Sequence, residues 1–171
     1  LSMIEKHPYT PFVPKNSKYL ILGSFPAKPS ERGNWYYVNP KNQFWSILEE
    51  TYKVKLDTKR KKLNLLKDLK IAITDIIFSC SRKNDSNLDK NLTNIIYNTK
   101  TIKKILTNIN IKKIYFTSRF VENSFKKLFS EYIKNNQQIE LTYLPSPSPR
   151  YASMSFKEKV IRYNQLLPKK I

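Results

Sequence analysis

The chain has 171 residues, 40% of them hydrophobic and 13% aromatic, which predicts one packed domain over residues 1–171 and excludes a disordered chain. Its 32 Lys and Arg against 13 Asp and Glu give a formal net charge of +19, which favours DNA or RNA as a partner. One cysteine, Cys80, and one histidine, His7, exclude internal disulfides and a metal centre built on thiolates or several histidines.

No stretch holds the roughly 20 apolar residues that a membrane-spanning helix needs, and the first residues lack a signal-peptide pattern. We therefore expect a soluble, cytoplasmic monomer, associated with the nucleoid in a prokaryote and without a membrane partner. His7 lies in a His-Pro-Tyr run that we expect to pack over the domain, with little part in the chemistry.

The first predicted strand and helix flank a long irregular segment. An apolar run at 19–22 ends at Gly23 and predicts a buried parallel strand. After the irregular segment, a helix is predicted over 39–53, with Asn39 as its N-cap and Pro40 as its first helical residue.

The rest of the chain alternates predicted helices and strands. They are a helix at 57–69, a strand at 70–78, a polar loop at 79–87, a helix at 99–109, a strand at 111–117, a helix at 120–133, a strand at 139–144 and a last helix to about 167, opened by a capping box of Ser155 and Glu158. This order indicates a three-layer α/β/α sandwich with a central, four-stranded, mostly parallel sheet.

In such sheets, ligands bind outside the carboxyl ends of the strands. That rule nominates the loops at 23–39, 75–87, 117–120 and 145–153. The first and last have unusual sequences, and we expect the chemistry there.

The segment at 23–45 combines a glycine with aromatic and amide side chains. Gly23 predicts a sharp turn and the close approach of a ligand. The three aromatic residues at 35–37 can offer a flat surface to a nucleobase. For Trp35, a role as a hydrophobic plug that holds the loop down is equally consistent with the sequence, and either Tyr36 or Tyr37 is expected to face a pocket. Asn42, in the first turn of the predicted helix, either contacts water and a base or phosphate, or ties down the helix start.

The loop at 145–150 alternates proline and serine before Arg150. Proline stiffens the loop and removes every second backbone donor. The hydroxyl and N–H groups of Ser146 and Ser148 then form a row that can hold DNA phosphates without reading sequence. The alternative is a rigid connector between a strand and a helix.

Together these motifs resemble the uracil-DNA glycosylase superfamily, and most closely its hypoxanthine-DNA (deoxyinosine) glycosylase branch. The resemblance rests on Gly-Ser-Phe-Pro at 23–26, on Tyr-Tyr-Val-Asn-Pro-Lys-Asn-Gln-Phe-Trp at 36–45, and on the stretches 75–82, 86–89 and 144–159. It implies a parallel sheet between helices, a flipped-out base, hydrolysis of its N-glycosidic bond, and no metal or redox cofactor.

Three positions depart from the patterns of these families. Phe25 stands where the wider superfamily has a catalytic Asp or Asn, and Leu144 where it often has His. The resemblance to the hypoxanthine branch moves the catalytic asparagine to Asn42, while Asn39 stands where that branch usually has a histidine before proline. The resemblance therefore leaves the choice between hypoxanthine and uracil open.

The site hypothesis is a monofunctional glycosylase that acts on a deaminated base in duplex or single-stranded DNA. Asn42 is expected to orient the attacking water. The expected base-binding residues are Gly23, Ser24, Phe25, Tyr37 and Asp75. The expected DNA-binding residues are Ser30, Ser146, Ser148, Arg150 and Tyr151.

Two alternatives remain open at this stage. A non-catalytic nucleic-acid-binding module on the same fold is favoured by Phe25, which cannot act on water. An enzyme of free nucleosides or nucleotides fits less well with the charge of +19.

Overall fold

The computed structural model describes residues 3–28 and 34–171. In chain order its elements are β1 (Ile4–Lys6), β2 (Tyr19–Gly23), α1 (Phe44–Tyr52), α2 (Lys59–Leu69), β3 (Ile71–Asp75), β4 (Ile77–Arg82), β5 (Leu92–Tyr97), α3 (Thr99–Asn108), β6 (Lys113–Phe116), α4 (Arg119–Leu128), α5 (Ser130–Asn135), β7 (Glu140–Tyr143) and α6 (Phe156–Leu166), with short 3-10 turns at Lys83–Asp85 and Asp89–Asn91.

The central sheet has the strand order β3-β2-β6-β7, and all its neighbouring strands are parallel. Its central strand β2 is apolar on both faces because helices cover both. Ile21 packs with α1, α2 and α6, whereas Leu20 and Leu22 pack with α3 and α4. The predicted three-layer α/β/α sandwich is confirmed, and the sheet is parallel throughout.

A second sheet, antiparallel and in the order β1-β4-β5, joins the same face as α3 and α4. The strand expected at 70–78 is therefore confirmed only over Ile71–Asp75. It ends at Asp75, and β4 begins at Ile77 and continues through part of the expected loop. Strands β1 and β5 were not predicted, because half-exposed, polar-rich strands carry little periodic signal.

The helix expected from Asn39 begins instead at Phe44. Residues 39–42 form a turn in which the Asn42 N–H donates to the Asn39 carbonyl at 2.9 Å and the Asn39 side chain accepts from the Lys41 N–H at 2.9 Å. Asparagine followed by proline starts a turn as readily as a helix, which explains the error.

The last two helical predictions fare differently. The helix expected at 120–133 is divided, because α4 ends at Leu128 and α5 begins at Ser130. Ser155 is confirmed as the N-cap, since its Oγ accepts from the Glu158 N–H at 3.1 Å, but the Glu158 carboxylate accepts from the Ser155 hydroxyl at 3.1 Å and not from the Ser155 N–H as in a full capping box. Within residues 3–28 and 34–171, no helix combines the length and apolar character needed to cross a bilayer.

Candidate active site

A cleft of about 480 Å³ opens at the carboxyl ends of the parallel strands. Of the predicted site residues, it is lined by Ser24, Phe25, Tyr37, Asn42, Asp75, Ser146, Ser148 and Arg150. Gly23 and Tyr151 are not part of its lining, and Ser30 lies outside the described residues. We call Phe25, Tyr37 and Asp75 the aromatic wall, and residues 145–150 the serine loop.

Gly23 makes room for two side chains of the wall rather than directly for a ligand. A Cβ on Gly23 would lie 2.5 Å from Asp75 Oδ1 and would also clash with the Tyr37 hydroxyl. The missing side chain therefore lets these two polar groups occupy the space over the end of β2.

Tyr37 supplies the expected aromatic surface. Its ring stacks on Phe44, with centroids 4.3 Å apart, and its hydroxyl lies 3.1 Å from Thr117 Oγ1. Burial, reinforced by the charge of Asp75, raises the pKa of Tyr37 well above its ordinary value, so the phenol keeps its proton. Tyr36 is 1% exposed, and Trp35 stacks on Trp45 as a plug.

The Phe25 ring is contacted by the polar side chains of His7 and Arg82. The His7 ring meets it edge-on at 5.6 Å, and the guanidinium carbon of Arg82 lies 5.2 Å from the ring centroid. Arg82 also donates to Glu5 Oε2 and to Asn87 Oδ1, both at 2.8 Å. These contacts fix the loop after β2 although β1 and β4 come from distant parts of the chain.

Asp75 and Asp89 are the acids among the described residues that line the cleft. Asp75 Oδ2 pairs with His7 Nε2 at 2.7 Å, and both side chains are 5% exposed. Asp89 accepts from the Ser24 hydroxyl at 2.6 Å. Burial raises the pKa of Asp89, and the charge of Asp75 adds to the rise while the Ser24 hydroxyl opposes it.

Asn42 lines the cleft from the turn that precedes α1. Its Oδ1 accepts from the Phe44 N–H at 2.9 Å, which orients the carboxamide. The amide N–H groups and the second lone pair of Oδ1 have no partner among the described residues. Asn42 can therefore hold a water or a polar ligand, although it does not lie within the first helical turn as expected.

The serine loop differs from its prediction in how its N–H groups are used. Ser146 Oγ accepts from the Ser148 N–H at 3.2 Å, and Ser148 Oγ accepts from the Arg150 N–H at 3.3 Å. Both N–H groups are thus occupied within the loop, and the serine hydroxyl hydrogens and the exposed Arg150 are what it presents to a ligand.

Gln43 and Lys159 fasten the serine loop to α1. The Gln43 N–H donates to the Pro147 carbonyl at 2.8 Å, and Lys159 Nζ donates to Gln43 Oε1 at 2.7 Å and to the Ser148 carbonyl at 3.0 Å. Lys159 is 1% exposed, and burial lowers its pKa. It lies behind the loop and outside the cleft lining, with its Nζ 5.6 Å from the Tyr151 ring.

Sequence reasoning did not assign a site role to His7, Arg82, Asp89 or Lys159. His7 packs over the domain as expected, but its partner Asp75 lies 68 positions further along the chain. The sequence feature that could have marked His7 as a site residue is that it is the single histidine of the chain. Lysine and aspartate are common and exposed in most positions, so nothing local marks Lys159 or Asp89.

The fold and the cleft place the chain among α/β proteins that bind ligands at the carboxyl edge of a parallel sheet. The model of the uracil DNA glycosylase superfamily matches residues 10–167. The chain belongs to the uracil DNA glycosylase superfamily.

Two relatives carry the name hypoxanthine DNA glycosylase. The one from Methanosarcina barkeri is 29% identical over 118 residues, which are 68% of this chain and 73% of the relative. The one from Methanosarcina acetivorans is 37% identical over 71 residues, which are 40% of this chain and 45% of the relative.

A solved structure shares the fold. It is the solution NMR structure of a candidate uracil DNA glycosylase from Methanosarcina acetivorans, with a TM-score of 0.68, 24% identity and 96% of both chains covered.

Proposed function

We propose that this protein is a monofunctional DNA glycosylase that hydrolyses the N-glycosidic bond of a deaminated base, hypoxanthine or uracil, in DNA. The observation that carries the proposal is the cleft itself, which is lined together by an aromatic wall with a carboxylate, by Asn42 and by a hydroxyl-bearing loop. The names of the two Methanosarcina relatives support the same reaction. We also propose that the chain acts as a monomer and as one domain over residues 1–171.

The reaction begins when lysines and the serine loop hold the DNA backbone and the damaged nucleotide rotates out of the stack. Phe25 and Tyr37 then stack against the base, and Asp75 contacts its edge. Arg150 or Tyr151 fills the gap in the duplex. The +19 charge supports docking on DNA rather than on a free nucleoside.

The C1′–N bond breaks first, and the base leaves with the bonding electrons. Asn42 holds a water against C1′, where the oxygen bonds to the sugar cation and a water proton passes to the departing base. A carboxamide is too weak a base to deprotonate water, so the leaving base must carry the negative charge well. That requirement favours uracil and hypoxanthine over the normal bases.

Of the lysines that line the cleft in the described part of the chain, Lys28 is bound to Asp85 at 2.6 Å, and the buried Lys159 is bound behind the loop, outside the lining. We therefore expect base removal without strand cleavage, and no trapping of a covalent complex by borohydride.

The test uses single- and double-stranded oligonucleotides that contain one uracil, hypoxanthine or xanthine, followed by alkali to cleave abasic sites. Cleavage at uracil or hypoxanthine supports the proposal. Tight DNA binding without cleavage at any lesion would overturn it in favour of a non-catalytic binding module. Release of bases from free nucleosides but not from DNA would favour the nucleoside enzyme.

A further inference from the structure

His7 lies beneath the aromatic wall, where its imidazole contacts both a stacking residue and the carboxylate. Its ring meets Phe25 edge-on at 5.6 Å, and its Nε2 lies 2.7 Å from Asp75 Oδ2. The side chains of His7 and Asp75 are each 5% exposed, so this pair is shielded from bulk water. Neighbouring protein groups, rather than bulk water, therefore determine which atom of the pair donates the hydrogen bond.

A carboxylate oxygen only accepts, so Nε2 is the donor in the 2.7 Å bond to Asp75. The Tyr9 N–H lies 3.1 Å from Nδ1 and donates to the neutral ring, which then carries its hydrogen on Nε2. The Tyr9 carbonyl is also 3.1 Å from Nδ1 and accepts if the ring is protonated. In both states Nε2 donates to Asp75, and Oδ2 acts as an acceptor.

The other oxygen of Asp75 also acts as an acceptor. Thr117 donates its one hydroxyl hydrogen to the Leu22 carbonyl at 3.2 Å, so Tyr37 is the donor in its 3.1 Å bond to Thr117. Tyr37 has no second hydrogen to give to Asp75. Within residues 3–28 and 34–171, no group donates to Oδ1, which lies over Gly23 in the cleft.

We propose that His7 is a specificity-determining residue, because its bond to one oxygen of Asp75 leaves the other as an acceptor that selects bases with a ring N–H. This inference rests on the proposed glycosylase function and names its substrate class, the lactam bases. Hypoxanthine carries a hydrogen on N1 and uracil on N3, and either can donate to Oδ1. Adenine N1 and cytosine N3 present lone pairs, which the carboxylate repels.

Two variants separate the hydrogen bond of His7 from its packing. His7→Phe keeps an aromatic ring against Phe25 but has no donor for Asp75. His7→Gln loses the ring but places an amide N–H near the position of Nε2. The readouts are single-turnover excision of hypoxanthine and uracil from single-stranded DNA, the affinity for undamaged DNA, and the melting temperature.

We expect His7→Phe to slow excision by about 10-fold to 100-fold, the effect of a hydrogen bond to a charged group, and to lower the melting temperature because the buried Asp75 loses its donor, while the affinity for undamaged DNA stays near that of the unmodified protein. His7→Gln should recover most of that loss. Equal rates for His7→Phe and the unmodified protein would overturn the inference. Equal losses for both variants would also overturn it, because packing alone would then explain His7.

A third variant tests the direction of the bond. In Asp75→Asn, His7 donates to the amide oxygen, and the amide N–H groups turn toward the base. Excision of lactam bases should fall by a similar factor, and the ratio of excision at mispaired cytosine to excision at uracil should rise. An unchanged rate on hypoxanthine and uracil would overturn the role of the pair.

The two proposals fail in different ways. An unmodified protein that removes no base from any DNA overturns the proposed function, and this inference with it. An unmodified protein that removes hypoxanthine or uracil while all three variants match it overturns the inference alone.

Discussion

The two sides of the cleft are stabilised in different ways. The aromatic wall is held by contacts between distant parts of the chain, since His7 and Asp75 are 68 positions apart in the sequence and Tyr37 and Thr117 are 80 positions apart. The side chains of Ser146 and Ser148 bond within the loop across two residues, and distant Gln43 and buried Lys159 fasten only its backbone carbonyls. The difference teaches that the surface proposed to read a base has its side chains fixed by buried, long-range bonds, whereas the surface proposed to hold phosphates has such bonds only at its backbone.

Asn42 lies next to Gln43, which bonds to the serine loop, and two residues before Phe44, which stacks on Tyr37, and its loss should have the largest effect. Asn42→Ala removes the group that holds the water, and we expect excision to fall by about 100-fold or more. The measurement is single-turnover excision of uracil and hypoxanthine. Thr58→Ala removes a comparable side-chain bond to a backbone N–H outside the cleft and serves as the matched control, and an equal loss in both variants would assign the effect of Asn42 to stability instead.

Phe25 tests the aromatic wall. Phe25→Leu keeps an apolar side chain but removes the flat surface, and stacking of one base is worth about 1–3 kcal/mol. We expect excision to fall by about 10-fold to 100-fold with little change in binding to undamaged DNA. Phe156→Leu, an exposed position on α6, controls for the loss of a ring. Retained excision in Phe25→Leu would remove stacking from the mechanism.

A substitution of Lys159 tests which contacts hold the serine loop in place. Lys159→Met leaves Gln43 Oε1 and the Ser148 carbonyl without their donor, and we expect the free energy of unfolding to fall by about 1–3 kcal/mol. Urea denaturation measures the change, with the exposed Lys157→Met on the same helix as control. A neutral result would show that the backbone bond from Gln43 to Pro147 suffices to hold the loop.

Arg150 tests whether the serine loop contacts DNA. Arg150→Ala should weaken binding a few-fold for every sequence and reduce the slope of log affinity against log salt by about 1. Filter binding at several salt concentrations gives that slope. Arg60→Ala on α2 removes the same charge elsewhere, and an identical change in both variants would mean that only net charge matters.

Asp89 should give the smallest effect, through pH. Its raised pKa means that the folded state binds a proton more tightly than the unfolded chain, so stability falls as pH rises above the ordinary value of 3.8 toward the raised one. Asp89→Asn keeps the acceptor for Ser24, and its melting temperature should exceed that of the unmodified protein at pH 7 but not at pH 3. Asp57→Asn should show no such gain, because the hydrogen bond from Lys61 lowers the pKa of Asp57. A gain at both pH values would assign the effect to something other than titration.

The central sheet was predictable because β2 is an unbroken apolar run and strands alternate with helices along the chain. The antiparallel sheet was not, because β5 buries few of its side chains and depends on pairing with β4. The turn at Asn39 was misread as a helix start because asparagine and proline suit both structures.

The cleft shows the same division. Asn42, Phe25 and Ser148 lie within motifs that are contiguous in sequence, and the structure brings them together. The pairing of His7 with Asp75 depends on where β1 meets β4, which no local pattern encodes. Tertiary pairing, rather than propensity, decides this part of the site.

Gly23 has a consequence for how this protein can change over generations. The volume beside its Cα is already filled by the Asp75 carboxylate and the Tyr37 hydroxyl, so even alanine would displace both. Gly23 could therefore be replaced in evolution only after Asp75 and Tyr37 had changed. A protein with those two changes would have a damaged aromatic wall, so we expect Gly23 to stay unchanged as long as selection maintains the wall.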